Sequence, residues 1–99
     1  MADKPLVIHP AALQELRSAV DWYLSRSGVA AEKFVEAVDR AIDLVNEAPS
    51  RWPLGDHATR KFAVRRFPFA IIYRETKDSI QILAVAHGHR KPGYWKGRL

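Results

Sequence analysis

The chain has 99 residues, of which 47% are hydrophobic and 27% charged, and this composition is typical of one small globular domain rather than of a disordered chain. The absence of cysteine excludes a disulfide framework and thiolate chemistry. We expect a single domain over residues 1–99, with no signal peptide before Ile8 and no apolar run of the roughly 18 residues that a membrane span needs.

The net charge of +5 is unevenly distributed along the chain. Residues 1–50 contain five Lys or Arg against eight Asp or Glu, a balance of −3, whereas residues 51–99 contain 11 against three, a balance of +8. This asymmetry predicts a polyanion or an acidic protein as partner. The alternative is a basic face that is simply solvated.

A short apolar run at residues 6–8 predicts a first strand, and a helix follows over about residues 10–26. Pro10 suits the first position of a helix because no N–H is needed there, whereas His9 is a weak capping residue. The apolar side chains recur at the spacing of one helical face: Leu13, Leu16, Val20, Tyr23 and Leu24. Gly28 can adopt a left-handed conformation, so we predict that it caps the C-terminus of this helix.

A second helix is predicted over about residues 30–47. Its apolar face consists of Phe34, Val38, Ala41, Ile42 and Val45. Pro49 ends the helix because the residue before a proline disfavours helical geometry. Since only two or three residues link the helices, we expect an antiparallel hairpin. In the loop at residues 49–59, Trp52 and Leu54 are too apolar for water, so we expect both to fold back onto the core.

Three strands are predicted in the second half, over residues 60–65, 69–74 and 80–87. Short turns join them, which indicates an antiparallel meander. In the last strand, strict alternation places Ile80, Ile82, Ala84 and Ala86 on one face and Gln81, Leu83, Val85 and His87 on the other. The helical hairpin has one sheet to cover, so the predicted fold class is a two-layer α+β domain of order β-α-α-β-β-β.

Four segments of the chain together resemble a known family. They are Pro10-Ala11-Ala12 with Leu16, Ala41-Ile42 before Pro49, RRFPFAIIYR at residues 65–74, and ILAVAHGHRKPGYWKGR at residues 82–98. In this order and spacing they resemble the toxins of the RelE/ParE superfamily of bacterial type II toxin–antitoxin modules, over nearly the whole chain. The tail, with His87, then Arg90-Lys91-Pro92, then Tyr94-Trp95, is closer to the ParE-like branch than to RelE.

The resemblance implies a cytoplasmic toxin that is neutralised by a small cognate antitoxin with an acidic C-terminal region. RelE-like members cut mRNA on the ribosome without a metal, whereas ParE-like members are held to poison DNA gyrase. No cofactor, metal or membrane is therefore expected. An acidic, partly disordered partner also suits the basic second half of this chain.

The candidate functional residues lie on the predicted sheet and in the tail. Metal-free RNA cleavage needs a base, an acid and a cation for the phosphate, and the residues that the nuclease hypothesis assigns to these roles are Arg65, His87, Arg90 and Tyr94. The residues expected to contact a target or a nucleic acid are Lys61, Arg65, Arg66, His89, Arg90, Lys91 and Trp95. Lys61 and Arg65 share a face if the second strand is regular, and His87 and His89 share one if the last strand continues through Gly88.

Each candidate has a structural alternative. His87 fits a histidine bonded to the backbone as well as a functional one, and His87 with His89 would need a third ligand to hold a metal. Arg65, Arg66 and Arg90 also suit an ordinary solvated surface. Tyr94 and Trp95 suit packing of the tail onto the sheet.

The leading hypothesis is a ParE-like toxin that acts by binding a target such as DNA gyrase. The alternative is a RelE-like, ribosome-dependent mRNA endonuclease. A further alternative is a homologue that has lost toxicity and only binds its antitoxin. The three hypotheses differ in whether the chain is an enzyme.

Overall fold

A computed structural model describes residues 4–99, and the first three residues of the expected domain lie outside the described residues. The elements are β1 (Leu6–Ile8), α1 (Pro10–Leu24), α2 (Gly28–Glu47), β2 (Arg60–Ala63), β3 (Phe69–Glu75) and β4 (Ile80–His87), with single 3-10 turns at Asp56–Ala58 and Tyr94–Arg98. The predicted β-α-α-β-β-β order and α+β class are confirmed. Between residues 4 and 99, no helix combines the length and apolarity needed to cross a membrane.

The four strands form one sheet in the order β1-β4-β3-β2. The last three strands are antiparallel neighbours, as the meander prediction requires. β1 runs parallel to β4, with Leu6 opposite Ile80 and Ile8 opposite Ile82. A parallel neighbour needs a long crossover, and the helical hairpin between β1 and the meander provides it.

The link of the helical hairpin has the predicted length of three residues but lies two residues earlier in the chain than predicted. α1 ends at Leu24, and Ser27 caps α2 by accepting a hydrogen bond from the N–H of Ala30 at 3.2 Å. Gly28 is therefore the first residue of α2, and the prediction that it caps α1 in a left-handed conformation is wrong. Serine is a stronger helix N-cap than the sequence interpretation allowed for, and it starts the second helix two residues earlier.

The start of α1 is also capped better than expected. The Nδ1 atom of His9 accepts a hydrogen bond from the N–H of Ala11 at 3.0 Å. Pro10 occupies the first helical position, as predicted. The histidine and the proline therefore fix the entry of the chain into α1 together.

The main core lies between the helices and the facing side of the sheet. Its fully buried large side chains include Phe34, Val38, Val45, Ile71, Tyr73, Ile80 and Ile82. The Tyr73 hydroxyl donates to the carbonyl of Pro49 at 2.6 Å, so this core tyrosine also anchors the loop after α2. Trp52 packs against the core as expected, with its ring 4.5 Å from that of Phe62.

Leu54, in contrast to Trp52, does not pack against the core: it is 60% exposed. The prediction that both residues fold back onto the core is therefore wrong for Leu54. The N–H of Gly55 donates to the carbonyl of Thr59 at 2.7 Å, and this bond closes a tight loop directly after Leu54. Trp52 before the leucine and the Gly55–Thr59 bond after it hold the loop in place, so Leu54 remains at the surface.

A β-bulge in β4 changes which side chains face the helices. Ile72 pairs with Ala84 but Tyr73 pairs with Ile82, so Leu83 is an extra residue in the ladder. Ile80, Ile82 and Val85 belong to the main core, whereas Leu83 and Ala84 pack with Ile72 on a second, smaller cluster. The predicted alternation holds through Leu83 and is wrong from Ala84 onward, because one inserted residue exchanges the two faces of a strand.

Candidate functional site

The carboxylate of Glu15, on α1, is the centre of a polar cluster that joins the helix to the sheet and the tail. Its Oε1 atom accepts hydrogen bonds from the N–H of Val85 at 3.0 Å and from Nη1 of Arg98 at 2.9 Å. Its Oε2 atom accepts from the Tyr94 hydroxyl at 2.8 Å and from Nη2 of Arg98 at 2.9 Å. Arg90 adds a more distant charge, with Nη1 at 3.9 Å from Oε2.

The cluster covers the free edge of β4. β1 ends at Ile8, so in the described part of the chain the outer edge of β4 has no neighbouring strand beyond Ile82. Glu15 takes the N–H of Val85, and Arg98 donates to the carbonyl of Leu83 at 3.0 Å. Two side chains thus replace the backbone of a missing strand, and the edge is closed to further pairing at this point.

The protonation of the cluster follows from these contacts. Burial alone would raise the pKa of Glu15, but the hydrogen bonds from Arg98, Tyr94 and the Val85 N–H, with the charge of Arg98, outweigh it and hold the pKa below its ordinary value. Burial and the hydrogen bond to Glu15 raise the pKa of Tyr94 to about 12. Glu15 is therefore a carboxylate and Tyr94 a neutral phenol at neutral pH.

Sequence reasoning does not single out Glu15 as a functional candidate, because it is a charged residue outside the predicted apolar face of the first helix. The available signal was its position three residues after Ala12 and four before Ala19, both of which are buried. Residues at these spacings share one helix face. A carboxylate between two small buried residues on one helical face indicates an acid that points at a neighbouring element.

The tail is packed by its aromatic residues. Gly93 adopts φ of 76°, a left-handed conformation that lets the chain turn into the short helix that follows. Trp95 is only 8% exposed and packs with Ile72, Leu83 and Ala84 on the side of the sheet away from the helices. The guanidinium of Arg90 lies 3.8 Å from the centre of the Tyr94 ring, in the geometry of a cation–π contact.

His87 and His89 are brought together by a turn rather than by a continuing strand. β4 ends at His87, and the N–H of His89 donates to Nδ1 of His87 at 3.0 Å. The centres of the two imidazole rings lie 4.8 Å apart, and the centre of the His87 ring lies 5.0 Å from that of the Phe69 ring. No group of three or more His, Cys, Asp or Glu side chains is placed to hold a metal ion within residues 4–99.

The basic residues of β2 and of the turn after it lie apart from the Glu15 cluster. β2 ends at Ala63, so Arg65 lies in the turn and does not share a strand face with Lys61. Arg65 and Arg66 are both exposed, and Arg66 has a positive φ of 71°. Lys61, Lys91 and Trp95 line a shallow pocket of about 290 Å³ on the sheet face away from the helices.

A larger groove of about 510 Å³ lies between α1, the start of β3 and the end of β4. Its apolar wall consists of Ala19, Trp22, Tyr23, Phe69 and Val85. Glu15, His87, Arg90 and Tyr94 line it on the side of the tail. The structure therefore gathers His87, Arg90 and Tyr94 at one groove. His87 and Tyr94 also line the pocket that contains Lys61, whereas Arg65 and Arg66 line neither.

The model of the family described as the ParE toxin of type II toxin–antitoxin systems, parDE, matches residues 6–92 of the chain. No curated protein sequence matches it. A solved structure described as the chromosomal ParDE toxin–antitoxin system from P. aeruginosa has a similar fold, with a TM-score of 0.76 and 20% identity over 88% of this chain and 98% of that one. The chain thus belongs to the ParE toxin family of type II toxin–antitoxin systems.

Proposed function

We propose that the protein is a cytoplasmic, growth-inhibiting toxin that acts by binding a cellular target such as DNA gyrase and that is neutralised by a cognate antitoxin. Membership of the ParE toxin family supports the toxin role. The balance of +8 over residues 51–99 supports a partner or target with a negatively charged surface. The choice between binding and RNA cleavage depends on what the candidate catalytic side chains contact.

One observation carries the preference for binding: Arg90 and Tyr94 are engaged with Glu15. The Tyr94 hydroxyl donates to a carboxylate at 2.8 Å and has a pKa of about 12, so it is a poor general acid or base at neutral pH. Arg90 lies over the Tyr94 ring and faces the same carboxylate. A phosphate at this place would compete with Glu15 for both side chains, which disfavours metal-free RNA cleavage.

The target-binding surface that we propose consists of exposed Lys, Arg and His side chains of the sheet and the tail. They are Lys61, Arg65, Arg66, His89, Arg90 and Lys91. Arg65 and Arg66 are adjacent at the tip of the β2–β3 turn, where both guanidinium groups are open to solvent. Trp95 is buried, so we assign it to support this surface by fixing the tail on the sheet rather than to contact the target.

The rival function, a ribosome-dependent endonuclease that uses Arg65, His87, Arg90 and Tyr94, is favoured by the two adjacent imidazoles of His87 and His89. Histidine is a common general acid or base in enzymes. His87 stands at the edge of both the groove and the shallow pocket, where a substrate would have access to it. This rival and the binding function predict opposite results for substitution of His87.

The test compares four proteins in two assays: the wild type, His87→Ala, the double variant Arg65→Ala with Arg66→Ala, and Arg40→Ala as a control arginine exposed on α2. Growth arrest on expression first establishes that the wild type is toxic. DNA supercoiling by gyrase and 5′-end mapping of an mRNA in a translating extract are then measured. We expect gyrase inhibition by the wild type, His87→Ala and Arg40→Ala, a clear loss in the double variant, and no new mRNA ends.

New codon-specific mRNA ends that disappear with His87→Ala would instead establish the endonuclease. A wild type that is not toxic but binds the protein encoded by the adjacent reading frame would establish the antitoxin-binding homologue. Toxicity without an effect on gyrase or on mRNA would contradict the proposed target while leaving the toxin role in place.

A further inference from the structure

The turn between β2 and β3 has two arginines at its tip and a base that the core holds in place. The N–H of Phe67 donates to the carbonyl of Val64 at 3.2 Å, so Arg65 and Arg66 are the central residues of a β-turn. Val64 is only 2% exposed and belongs to the main core. Phe67 packs against the same core, with its ring centre 5.3 Å from that of Tyr23. The two guanidinium groups therefore extend from a rigid support.

The backbone of Arg66 has a conformation that an arginine disfavours. Of the two central residues only Arg66 has a positive φ, of 71°. This pattern is that of a type II turn, in which the third position is usually glycine or asparagine because φ must be positive there. Strained backbone of this kind tends to occur where a side chain has a function. The strain at Arg66 thus points to a use for its guanidinium.

A second turn, over residues 87–90, lies beside the first. A backbone hydrogen bond of 3.0 Å between its first and last residues closes it. The N–H of Gly88 donates to the carbonyl of Pro68 at 2.8 Å, so the backbones of the two turns are bonded to each other. His89 and Lys91 are exposed on this second turn and directly after it. The two turns together form one basic surface at this end of the sheet.

Few acidic residues oppose this surface. Within residues 57–99 the only acids are Glu75 and Asp78, which lie in the β3–β4 turn at the opposite end of the sheet. On the helices, the carboxylate of Glu15 already accepts four hydrogen bonds. The other helical acids near this end each lie two residues from a ring that packs on Phe67, with Lys33 among them. They are Asp21, Glu32 and Glu36.

The surface offers charge without apolar anchors. Between residues 60 and 98, all of which the structure describes, no large hydrophobic side chain is exposed. The centre of a protein–protein interface usually needs aromatic or aliphatic anchors, and single-stranded nucleic acid needs aromatic rings on which its bases stack. The backbone of a nucleic-acid duplex needs neither, because arginine and lysine bind its phosphates directly.

We propose that the two joined turns bind the phosphate backbone of duplex DNA through Arg65, Arg66 and Lys91. Arg90 is not included, because it lies over the Tyr94 ring and faces Glu15. The inference rests on the proposed function, since gyrase acts on duplex DNA, and it adds that the toxin contacts the DNA itself. Contacts to phosphates alone carry no sequence information, so the binding is independent of sequence.

The test measures binding of the purified protein to a short, fluorescein-labelled DNA duplex by fluorescence anisotropy. Titrations are made at salt concentrations between about 50 mM and about 200 mM. We expect a dissociation constant of about 1 to about 100 μM, as for non-specific binding, and the same value for a duplex of shuffled sequence. The logarithm of the association constant should fall with the logarithm of salt with a slope of about −2.7, which corresponds to three neutralised phosphates.

Arg66→Gly is the decisive variant, because it removes the guanidinium and also relieves the strain. We expect it to weaken DNA binding by about threefold or more and to reduce the salt slope by about 1. Its Tm should stay the same or rise, since glycine adopts a positive φ without strain. Arg66→Lys retains the charge and should retain most of the affinity. Arg40→Ala, exposed on α2, is the matched control and should change neither the affinity nor the slope.

Arg65→Ala tests the same surface without changing the strained position. It should weaken binding about as much as Arg66→Gly, and it keeps the test valid if the glycine alters the turn. Near-ultraviolet circular dichroism establishes that each variant is folded. Unchanged DNA binding by both variants would overturn the proposal, as would the absence of binding by the wild type at about 50 mM salt.

Two competitors distinguish duplex DNA from other polyanions. Displacement of the duplex by poly-L-glutamate at equal charge concentration would assign the surface to an acidic protein instead. Tighter binding of a single-stranded RNA of the same length would assign it to RNA. The supercoiling assay is independent of these measurements. Gyrase inhibition without DNA binding would overturn this inference and leave the proposed function in place, whereas DNA binding without gyrase inhibition would contradict the proposed target alone.

Discussion

Glu15 holds three distant parts of the molecule at one carboxylate: α1, the edge of β4 and the C-terminal tail. The side chains of Glu15 and Arg98 are each 16% exposed, so the bonds between them form in a largely desolvated place. Hydrogen bonds to charged groups contribute about 1.5–3 kcal/mol each, but the loss of hydration offsets much of that gain. The net contribution of such a pair is modest, whereas the removal of one member is costly because the other is left buried and unpaired.

We predict that Glu15→Gln lowers the free energy of unfolding by about 2–3 kcal/mol at pH 7. The amide keeps the shape of the side chain but leaves the Arg98 guanidinium without its counter-charge. Chemical denaturation measures the change. Asp21→Asn is the control on the same helix, because the Asp21 side chain is exposed, and it should change the free energy by less than about 0.5 kcal/mol.

The effect of Glu15→Gln should depend on pH in one direction. The folded state holds the pKa of Glu15 below its ordinary value of 4.5, so the stabilisation is present above 4.5 and is lost as the pH falls through the folded value. The difference in unfolding free energy between wild type and variant should therefore shrink on acidification below 4.5. A difference that is constant between pH 7 and pH 3 would show that Glu15 acts through its shape rather than its charge.

At the scale of the elements, the helical hairpin and the tail each contain a glycine where the chain turns, but only the tail requires it. Gly28 begins α2 directly after the Ser27 cap, and a Cβ atom built there meets no other atom within 4 Å. Gly93 has φ of 76°, and a Cβ atom there would lie 2.7 Å from Cε of Lys96. The first glycine is replaceable, whereas the second is required by its backbone conformation.

We predict opposite effects for the two alanine substitutions. Gly28→Ala should stabilise the protein by about 0.4–1 kcal/mol, because alanine restricts the unfolded chain and is compatible with a helical residue. Gly93→Ala should destabilise it by about 1 kcal/mol or more, because alanine is strained at positive φ. Thermal and urea unfolding of both variants check the prediction. If Gly28→Ala destabilised the protein instead, the result would support a left-handed conformation of Gly28 as the C-cap of α1.

β4 shows how one residue redirects an element. The bulge at Leu83 places Val85 under the helices, beside Glu15, and exposes the opposite face to the tail. Trp95 then covers Leu83 and Ala84 on that face. Because Val85 contributes both a core side chain and the N–H that Glu15 accepts, the bulge aligns the sheet edge with the polar cluster.

At the scale of the whole molecule, the two layers differ in charge. The exposed side of α2 carries acidic residues, namely Glu32, Glu36, Asp39, Asp43 and Glu47, whereas the turns and the tail on the sheet side are basic. The sum is −3 over residues 1–50 and +8 over residues 51–99. Such a distribution orients an approaching acidic partner before contact and accelerates association.

We predict that the association rate constant for the proposed acidic antitoxin falls by about tenfold or more when the salt concentration rises from about 0.1 M to about 1 M. Over this range the Debye length shrinks from about 10 Å to about 3 Å. The dissociation rate constant should change little, because it reflects short-range contacts that salt screens less than long-range charge. Stopped-flow or surface-plasmon measurements separate the two rates. An association rate that does not depend on salt would show that the basic half does not guide binding.

The order of the elements and most of their limits followed from local patterns in the sequence. Helical periodicity marked both apolar faces of the hairpin, and β-branched runs between short turns marked the meander. These features depend on residues a few positions apart, so the chain itself contains them. The segments at residues 65–74 and 82–98 likewise indicated the ParE-like family before any geometry was known. The sequence interpretation failed locally where two signals competed, as at Ser27 and Gly28, where the N-cap prevailed over the C-cap.

The site, in contrast, was decided by tertiary structure. Glu15 is hydrogen-bonded to Tyr94, which is 79 positions away in the sequence, and to Arg98, which is 83 positions away. No short-range sequence pattern encodes such contacts. The bulge at Leu83 likewise depends on how two strands pair, which reversed the predicted faces of β4. Periodicity is a property of neighbours along the chain, whereas a charge network forms only where packing removes water and brings distant groups into contact. For this reason the sequence by itself determined the fold and the family, and only the folded chain showed that Arg90 and Tyr94 are held by a carboxylate beside an open apolar groove.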